Sequence, residues 1–473
     1  MIKLRVNSGK SLSVRKGEKL IHALSRAGLL ITAACGGKGQ CGLCQVKILN
    51  PNPAGKFENE LIPAIKRRQG YRLACRYRID SDTSVILPVI RSRKRKPISD
   101  LGLALDLGTT VIKGSTIDMA TGKVNSHAKT YNLQNNYGAD IVTRISIALD
   151  GKYQILRKLL LNSIMQLTKQ LGIRNPINTV VVGNPVMSSF FLNKPLIGLA
   201  RYPFNSEVNE EHTLTDTPGY VFPAIASFVG GDTLAGILAA GLDRAIEPTL
   251  YIDLGTNGEV VLATRERIYV TSTAAGPAFE GVGINSGTLA VPGAVARVFI
   301  RQKQIIFQTI NKKRPIGFCA SGLIDMTAVL LQSGYLKDNG RLRWSFEYKG
   351  LLLIQDDIRK LQLSIGAIHT GIKLLLKKAG LSAVKIKKII LTGEFGSTLD
   401  PQAMMCIGLL PNIKAKIIGK PDMALNGALM VLKNNKLLRS LKEIKKKCLH
   451  VDIAREPSFE KTYIKSLSLT PWN

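Results

Sequence analysis

LALDLGTTVIKGSTI (103–117) reads as an apolar strand, an aspartate, a Gly-Thr-Thr turn and a second β-prone run. The same order returns in YIDLGTNGEVVLAT (251–264), where Asp253 precedes Gly255, Thr256, Asn257 and Gly258. A hairpin whose turn holds Gly and Thr offers backbone N–H and hydroxyl donors to a phosphate. The carboxylate just before the turn can hold a hydrated Mg2+ on the same phosphates. One Asp-x-Gly turn is common and carries little weight. Two of them, each at a strand–turn–strand and far apart in the chain, are what a duplicated fold gripping a nucleotide between two lobes would show. A third stretch, KKIILTGEFGSTLD (387–400), is an apolar strand ending in Gly393, Glu394, Phe395 and Gly396. Small residues there let backbone pass close to an adenosine ring. The competing reading is that all three are ordinary turns.

Upstream of these hairpins, CGGKGQCGLC (35–44) spaces Cys35, Cys41 and Cys44 as C-x5-C-x2-C, and Cys75 follows in GYRLACRYRI (70–79). Four thiolates suit an iron–sulfur cluster or a structural zinc. Zinc knuckles bring two C-x2-C pairs, whereas only Cys41 and Cys44 form such a pair here. Three ligands on one glycine-rich loop plus one distant ligand come close to the plant-type 2Fe–2S spacing, with one extra residue in the first gap. Gly36, Gly37, Gly39 and Gly42 can take positive φ and lack Cβ, which lets backbone N–H groups approach cluster sulfurs. A disulfide-bonded loop, free buried cysteines and zinc remain the alternatives.

The chain has 473 residues, enough for two or three domains with their own cores. It opens on MIKLRV, with neither a signal-peptide pattern nor an apolar run of eighteen, and its most apolar long segment, SFVGGDTLAGILAAGL, is interrupted by Asp232 and glycines. A cytoplasmic protein with no membrane partner is expected. Cys319, Cys406 and Cys448 fit no spacing rule and are expected to be buried or incidental. Sixty-six basic against 33 acidic residues give a net charge of +33, and residues 1–98 alone hold 21 basic and 5 acidic. Such a balance first suggests nucleic acid. The basic clusters are short, however (RSRKRKP at 91–97, KEIKKKC at 442–448), and carry no interleaved aromatics or helix–turn–helix pattern. A solvated surface or docking to an acidic protein is expected, with no specific nucleic-acid partner. The run ending in Pro97 also marks a domain boundary.

Residues 1 to about 90, with the helix-like SLSVRKGEKLIHALSRAGL (11–29), the CGGKGQCGLC loop and RLAC around Cys75, resemble a 2Fe–2S ferredoxin domain of the β-grasp kind. The resemblance implies Cys35, Cys41, Cys44 and Cys75 as cluster ligands. The two DLGT hairpins and the GEFG strand resemble the phosphate-1, phosphate-2 and adenosine motifs of the acetate and sugar kinase, chaperone and actin superfamily (ASKHA), a two-lobed ATPase fold. Asp106, Gly108, Thr109 and Thr110 would face the phosphates from lobe I. Asp253, Gly255, Thr256, Asn257 and Gly258 would do so from lobe II, with Asp106 and Asp253 near Mg2+. Asp232 and Glu259 would orient a water, and Gly393 and Gly396 would pass the adenosine. Glu394 departs from that pattern, which expects a small residue.

The fusion of these two parts resembles the ATP-dependent reductive activators of corrinoid proteins. VVVGNPVM (180–187), FVGGDTLAG (228–236), TAAGPAFEG (273–281), FCASGLID (318–325), IQDDIRKLQLSIGAI (354–368) and EPSFEKTYIKSLSL (456–469) add to the resemblance. It implies α/β and α+β domains in series: 1–90 ferredoxin, 91–99 basic linker, 100–250 lobe I, 251–435 lobe II, and 436–473 a basic C-terminal segment and tail. It also implies a 2Fe–2S cluster, ATP with Mg2+, a low-potential electron donor, and a corrinoid protein of a methyltransferase system that is returned from Co(II) to Co(I). The linker is shorter than in many members, and Cys448 is the only cysteine near the C-terminus, so a single cluster is expected. From another class, a cluster-bearing redox sensor or chaperone-like scaffold would use ATP only as a clamp. DDIRKLQLSIGAIHTGIKLLLKKAG reads as an amphipathic core helix, begun by Asp356 or Asp357 and stopped by Gly380.

Overall fold

The computed structural model describes residues 2–7, 10–29, 31, 39, 42, 44–87, 100–214 and 218–472. Cys35, Cys41, Gly36, Gly37 and the basic linker 91–99 lie outside the described residues. The chain forms two compact units, one made mostly of residues 1–181 and 186–207 and the other mostly of 220–473.

The first unit begins with a five-stranded sheet in the order Lys10–Val14, Ile2–Val6, Thr83–Ile86, Gln45–Leu49, Tyr71–Leu73. Ile2–Val6 runs antiparallel to Lys10–Val14 and parallel to Thr83–Ile86, the β-grasp arrangement. Alternation decides its faces: Leu4 and Val6 are buried, while Lys3 and Arg5 point outward. The helix Leu20–Arg26 closes the core with Leu20, Ile21, Ala23 and Leu24. The stretch 11–29, expected to be helix-like throughout, therefore divides. Its first part completes the strand Lys10–Val14, Gly17 at φ +79° turns the chain, and only Leu20–Arg26 is helical.

Farther along the first unit, the strands Val124–Tyr131, Val111–Asp118, Leu101–Leu107 and Asn178–Gly183 lie side by side in that order. The second unit repeats the order with Ile268–Thr273, Gly258–Ala263, Thr249–Leu254 and Lys388–Thr392. Each unit thus has a three-stranded meander opened by an Asp-Leu-Gly-Thr strand, with a later strand added on that strand's free side. The repeat extends to helix packing. A Cβ on Gly114 would come within 3.0 Å of Leu167 on the helix Tyr153–Leu171, and one on Gly258 within 3.0 Å of Ile368 on the helix Gln355–Lys378. Missing side chains let both helices sit close on their hairpins.

The helix Gln355–Lys378 matches the amphipathic pattern, with Ile358, Leu361, Ile365, Ile368 and Ile372 all buried. Asp357 begins it by accepting from the Ile354 N–H at 3.0 Å, and Gly380 ends it at φ +66°. Residues 436–473 differ from the expected tail. After the helix Leu437–Lys447, Cys448–His450 adds a parallel strand beside Ile268–Thr273. Leu469 enters the core, and Trp472 stacks on buried His369 with ring centroids 4.3 Å apart. The charge of this segment concealed the few apolar positions that dock it.

Its lysines bind within the second unit: Lys442 meets Glu211 at 2.7 Å, and Lys447 donates to the Asp243 carbonyl at 3.0 Å. Cys319 is buried, and Cys406 and Cys448 are half-buried. Among the described residues no helix is long and apolar enough to cross a membrane.

Candidate functional site

Cys44 immediately precedes the strand Gln45–Leu49, and Cys75 lies two residues past the strand Tyr71–Leu73. These strands pair with Gln45 opposite Leu73, and the Ala74 N–H donates to the Cys44 carbonyl at 2.9 Å. The register brings the two sulfurs to 3.3 Å with both residues buried. Two thiolates on one tetrahedral metal with bonds of about 2.3 Å sit about 3.8 Å apart, so the pair is spaced to share one metal ion after a small adjustment. Gly39 and Gly42 have φ of +76° and +66°, as the loop reading expected. At Gly39 the space a Cβ would need is taken by Arg76, whose Nε lies 2.2 Å from that position. The Arg76 guanidinium stacks on Phe57 at 4.2 Å.

The first unit also carries the turn Gly108–Thr110. Leu107 pairs with Ile112 across the hairpin, and Asp106 lies opposite the buried Lys113. The turn is tight: a Cβ on Gly108 would fall 2.2 Å from the Val111 carbonyl oxygen. Its three carbonyls are held from behind. Asn132 Nδ2 donates to Gly108 O at 3.2 Å, and Arg144 Nη2 donates to Thr109 O at 2.7 Å. Thr110 O accepts from the Asn132 N–H at 2.9 Å and from Asn135 Nδ2 at 3.0 Å.

Arg144 is fully buried and also donates to the Gly138 carbonyl at 2.9 Å, to Gln134 Oε1 at 3.0 Å and to Asn135 Oδ1. Its helix, Ile141–Ile147, is capped by Asp140, which accepts from the Thr143 N–H at 2.8 Å. Asn132, Asn135 and Arg144 carried no signal in the sequence, because Asn and Arg at these spacings fit no local motif.

In the second unit Leu254 pairs with Gly258 and Asp253 with Glu259, so two carboxylates face each other across the hairpin. Gly393, at φ +96°, lies so close to this turn that a Cβ would meet the Leu254 carbonyl oxygen at 2.1 Å and Asp253 Oδ1 at 2.7 Å. A Cβ on Gly396 would sit 3.5 Å from Leu254. The second and third motifs are therefore in contact, while Glu394 is exposed. Thr256 is buried, and its hydroxyl donates to Glu280 Oε1 at 2.7 Å. Glu280 lies in TAAGPAFEG, a stretch that carried resemblance in the sequence but no assigned role.

Asp232 opens the helix Gly231–Ala240 and accepts from the Thr233 N–H at 2.8 Å. Before it, Gly230 packs so tightly that a Cβ would lie 2.5 Å from the Asn184 Cα, which joins the FVGGDTLAG and VVVGNPVM stretches. Burial pushes the Asp232 carboxyl up to about 7, with the charge of Asp253 adding to the rise. Glu259 is raised well above the usual carboxylate range by burial, then by Asp232 and Asp253, while a hydrogen bond from Ser272 at 3.3 Å works against the rise. Asp232, Asp253 and Glu259 thus form one acidic neighbourhood, in which burial and mutual repulsion raise the carboxyls of Asp232 and Glu259.

Residues 5–80 match the model of the 2Fe-2S iron-sulfur cluster binding domain. Residues 101–245 match the RACo middle region, and 247–473 the C-terminal domain of RACo, the ASKHA domain. The chain is 31% identical over 439 residues to the corrinoid activation enzyme RamQ of Eubacterium limosum, covering 82% of this chain and 73% of that protein. It is 26% identical over 419 residues to a [Co(II) methylated amine-specific corrinoid protein] reductase of Methanosarcina barkeri, covering 78% of this chain and 76% of the relative. Among solved structures, a reductive activator for corrinoid, iron-sulfur protein shares the fold, with a TM-score of 0.70 at 24% identity over 99% of this chain and 98% of that one.

Proposed function

The chain belongs to the family of ATP-dependent reductive activators of corrinoid proteins, and we propose that its two DLGT turns bind the phosphates of Mg-ATP while its four N-terminal cysteines hold a 2Fe–2S cluster. It is an enzyme that returns the cobalt of a partner corrinoid protein from Co(II) to Co(I), as the activities named for its relatives support. The observation that supports the site assignment is the buried sulfur pair of Cys44 and Cys75 at 3.3 Å, on a chain that also repeats the phosphate-type hairpin in each unit. Cys35 and Cys41 would complete the ligand set. When bound, the cluster supplies a one-electron couple near about −400 mV. The electron comes from a low-potential donor and goes to the corrinoid cobalt. A cytoplasmic setting, where thiols stay reduced, suits these cysteines.

In this reading the residues of the chain divide the work of holding ATP. Gly108, Thr109 and Thr110 present a turn whose shape is fixed by Asn132, Asn135 and Arg144. The buried guanidinium behind the turn favours an anion in front of it. Gly255, Thr256, Asn257 and Gly258 present the second turn, with Thr256 oriented by Glu280. Asp106 and Asp253 would hold hydrated Mg2+, an ion that keeps several waters and takes only one or two carboxylates besides phosphate. Asp232, poised near neutrality, would accept a proton from the attacking water, and Glu259 would help to orient that water. Gly393 and Gly396 leave room for the adenosine. Each 100 mV of uphill electron transfer costs about 2.3 kcal/mol, which binding and hydrolysis of ATP can offset by favouring a more readily reduced cobalt geometry.

Calorimetry with Mg-ATP on the wild type and on Asp253→Ala tests the nucleotide half of the proposal, and EPR of the dithionite-reduced protein tests the cluster half. The wild type should bind with a stoichiometry near one, the variant at least about tenfold more weakly, and an S = 1/2 signal should appear in both and vanish in Cys75→Ser. Equal affinities, or a signal that survives Cys75→Ser, would contradict these assignments.

A further inference from the structure

The 3-10 turn Leu133–Asn136, with Asn132 before it and Tyr137 after it, touches two functional regions of the first unit at once. Asn132 and Asn135 hold the carbonyls of Gly108 and Thr110, as described above. The next residues of the same turn face the ferredoxin helix Leu20–Arg26. Asn136 Nδ2 donates to Ser25 Oγ, with both residues buried, and the Tyr137 ring stacks on His22 with centroids 5.1 Å apart and planes 14° from parallel. That helix is tied in turn to the segment carrying Cys75. The Ile21 N–H donates to the Ala74 carbonyl and the Leu20 N–H to the Tyr77 carbonyl, each at 2.9 Å. A second contact secures the docking: Gln166, on the helix Tyr153–Leu171, donates to the Gly28 carbonyl just past the ferredoxin helix.

We propose that Asn132–Tyr137 is a coupling element that makes nucleotide affinity depend on the redox state of the Cys44/Cys75 site, a step beyond the functional reading above that rests on it. The physical case is one of stiffness. A buried, satisfied polar network tolerates few arrangements, so a shift of Gly108–Thr110 on phosphate binding moves Asn132 and Asn135 with it. Asn136 and Tyr137 lie on the same short turn and carry that shift to Ser25 and His22. Linkage requires reciprocity: if reduction changes nucleotide affinity by some factor, nucleotide changes the one-electron potential by the equivalent amount.

The test uses the full-length protein reconstituted with its cluster, a non-hydrolysable ATP analogue and Mg2+. The Kd of the analogue is measured by equilibrium binding on oxidised and on reduced protein, and the midpoint potential by EPR-monitored titration with and without the analogue. The wild type should show a Kd ratio of at least about threefold, matched by a potential shift of about 28 mV at about 59 mV per decade for one electron. In Ser25→Ala and in Asn136→Ala the ratio should fall toward one while the oxidised-state Kd stays within about twofold of wild type. A wild-type ratio of one, or a ratio that survives both substitutions, overturns the coupling and leaves the nucleotide reading standing. Failure of the wild type to bind the analogue in either state overturns the nucleotide reading and the coupling together.

Discussion

In the proposed nucleotide site, Asp232 is the carboxyl whose ionisation falls near neutral pH. Its carboxyl is raised from an ordinary 3.8 to about 7, first by burial and then by Asp253. Between those values the folded chain binds more protons than the unfolded chain at this position, so its contribution to stability is lost as pH rises across the window. Asp232→Asn should therefore raise Tm at pH 8 by about 2–4 °C. It should also lower ATP hydrolysis at least about tenfold and remove the rise in rate through pH 7, because the proton acceptor is gone. A variant that keeps the wild-type pH–rate profile would place the proton acceptor elsewhere. The sequence showed Asp232 and Glu259 as candidates, and the structure supplies what it could not, their shared acidic neighbourhood with Asp253. Arg144, Asn132, Asn135 and Glu280 were illegible for the same reason. Each acts by a contact that is distant in sequence, such as Arg144 on the Thr109 carbonyl, and no local spacing encodes it.

At the scale of elements the duplicated hairpins were legible because each combines an apolar strand, an Asp and a glycine-bearing turn, and local chemistry decides all three. The long helix Gln355–Lys378 was legible from its period. Two elements were not. The strand Lys10–Val14 was absorbed into a helix-like reading, because the pairing with Ile2–Val6 that sets its conformation is a tertiary choice. The C-terminal segment looked like a basic tail, yet its short strand Cys448–His450 extends the sheet and Trp472 covers His369. The Trp472 indole N–H also donates to the Gly408 carbonyl at 2.9 Å. Deleting residues 448–473 should consequently expose the apolar face under Leu469 and Trp472. Tm should fall by at least about 5 °C, a loss of more than about 1–2 kcal/mol, as read by thermal denaturation. A truncated chain melting within 2 °C of the full protein would show the segment to be dispensable.

For the whole molecule, the sequence made the joining of a ferredoxin-type cysteine pattern to a two-lobed ATPase pattern readable, since each part carries motifs that need no partner to be recognised. Charge was the least informative feature. Part of the basic excess of the C-terminal helix is engaged with Glu211 and with the Asp243 carbonyl, and surface pairs of this kind contribute little to stability. Whether ATP held by the DLGT turns enables electron delivery to cobalt is read from the Co(I) absorbance of a purified methyltransferase corrinoid protein, followed anaerobically with the cluster-loaded activator and a low-potential reductant. Co(I) should accumulate when Mg-ATP is present, and the rate should drop at least about tenfold when ATP is omitted or when Asp253→Ala replaces the wild type. Equal rates of Co(I) formation with and without ATP would contradict the account.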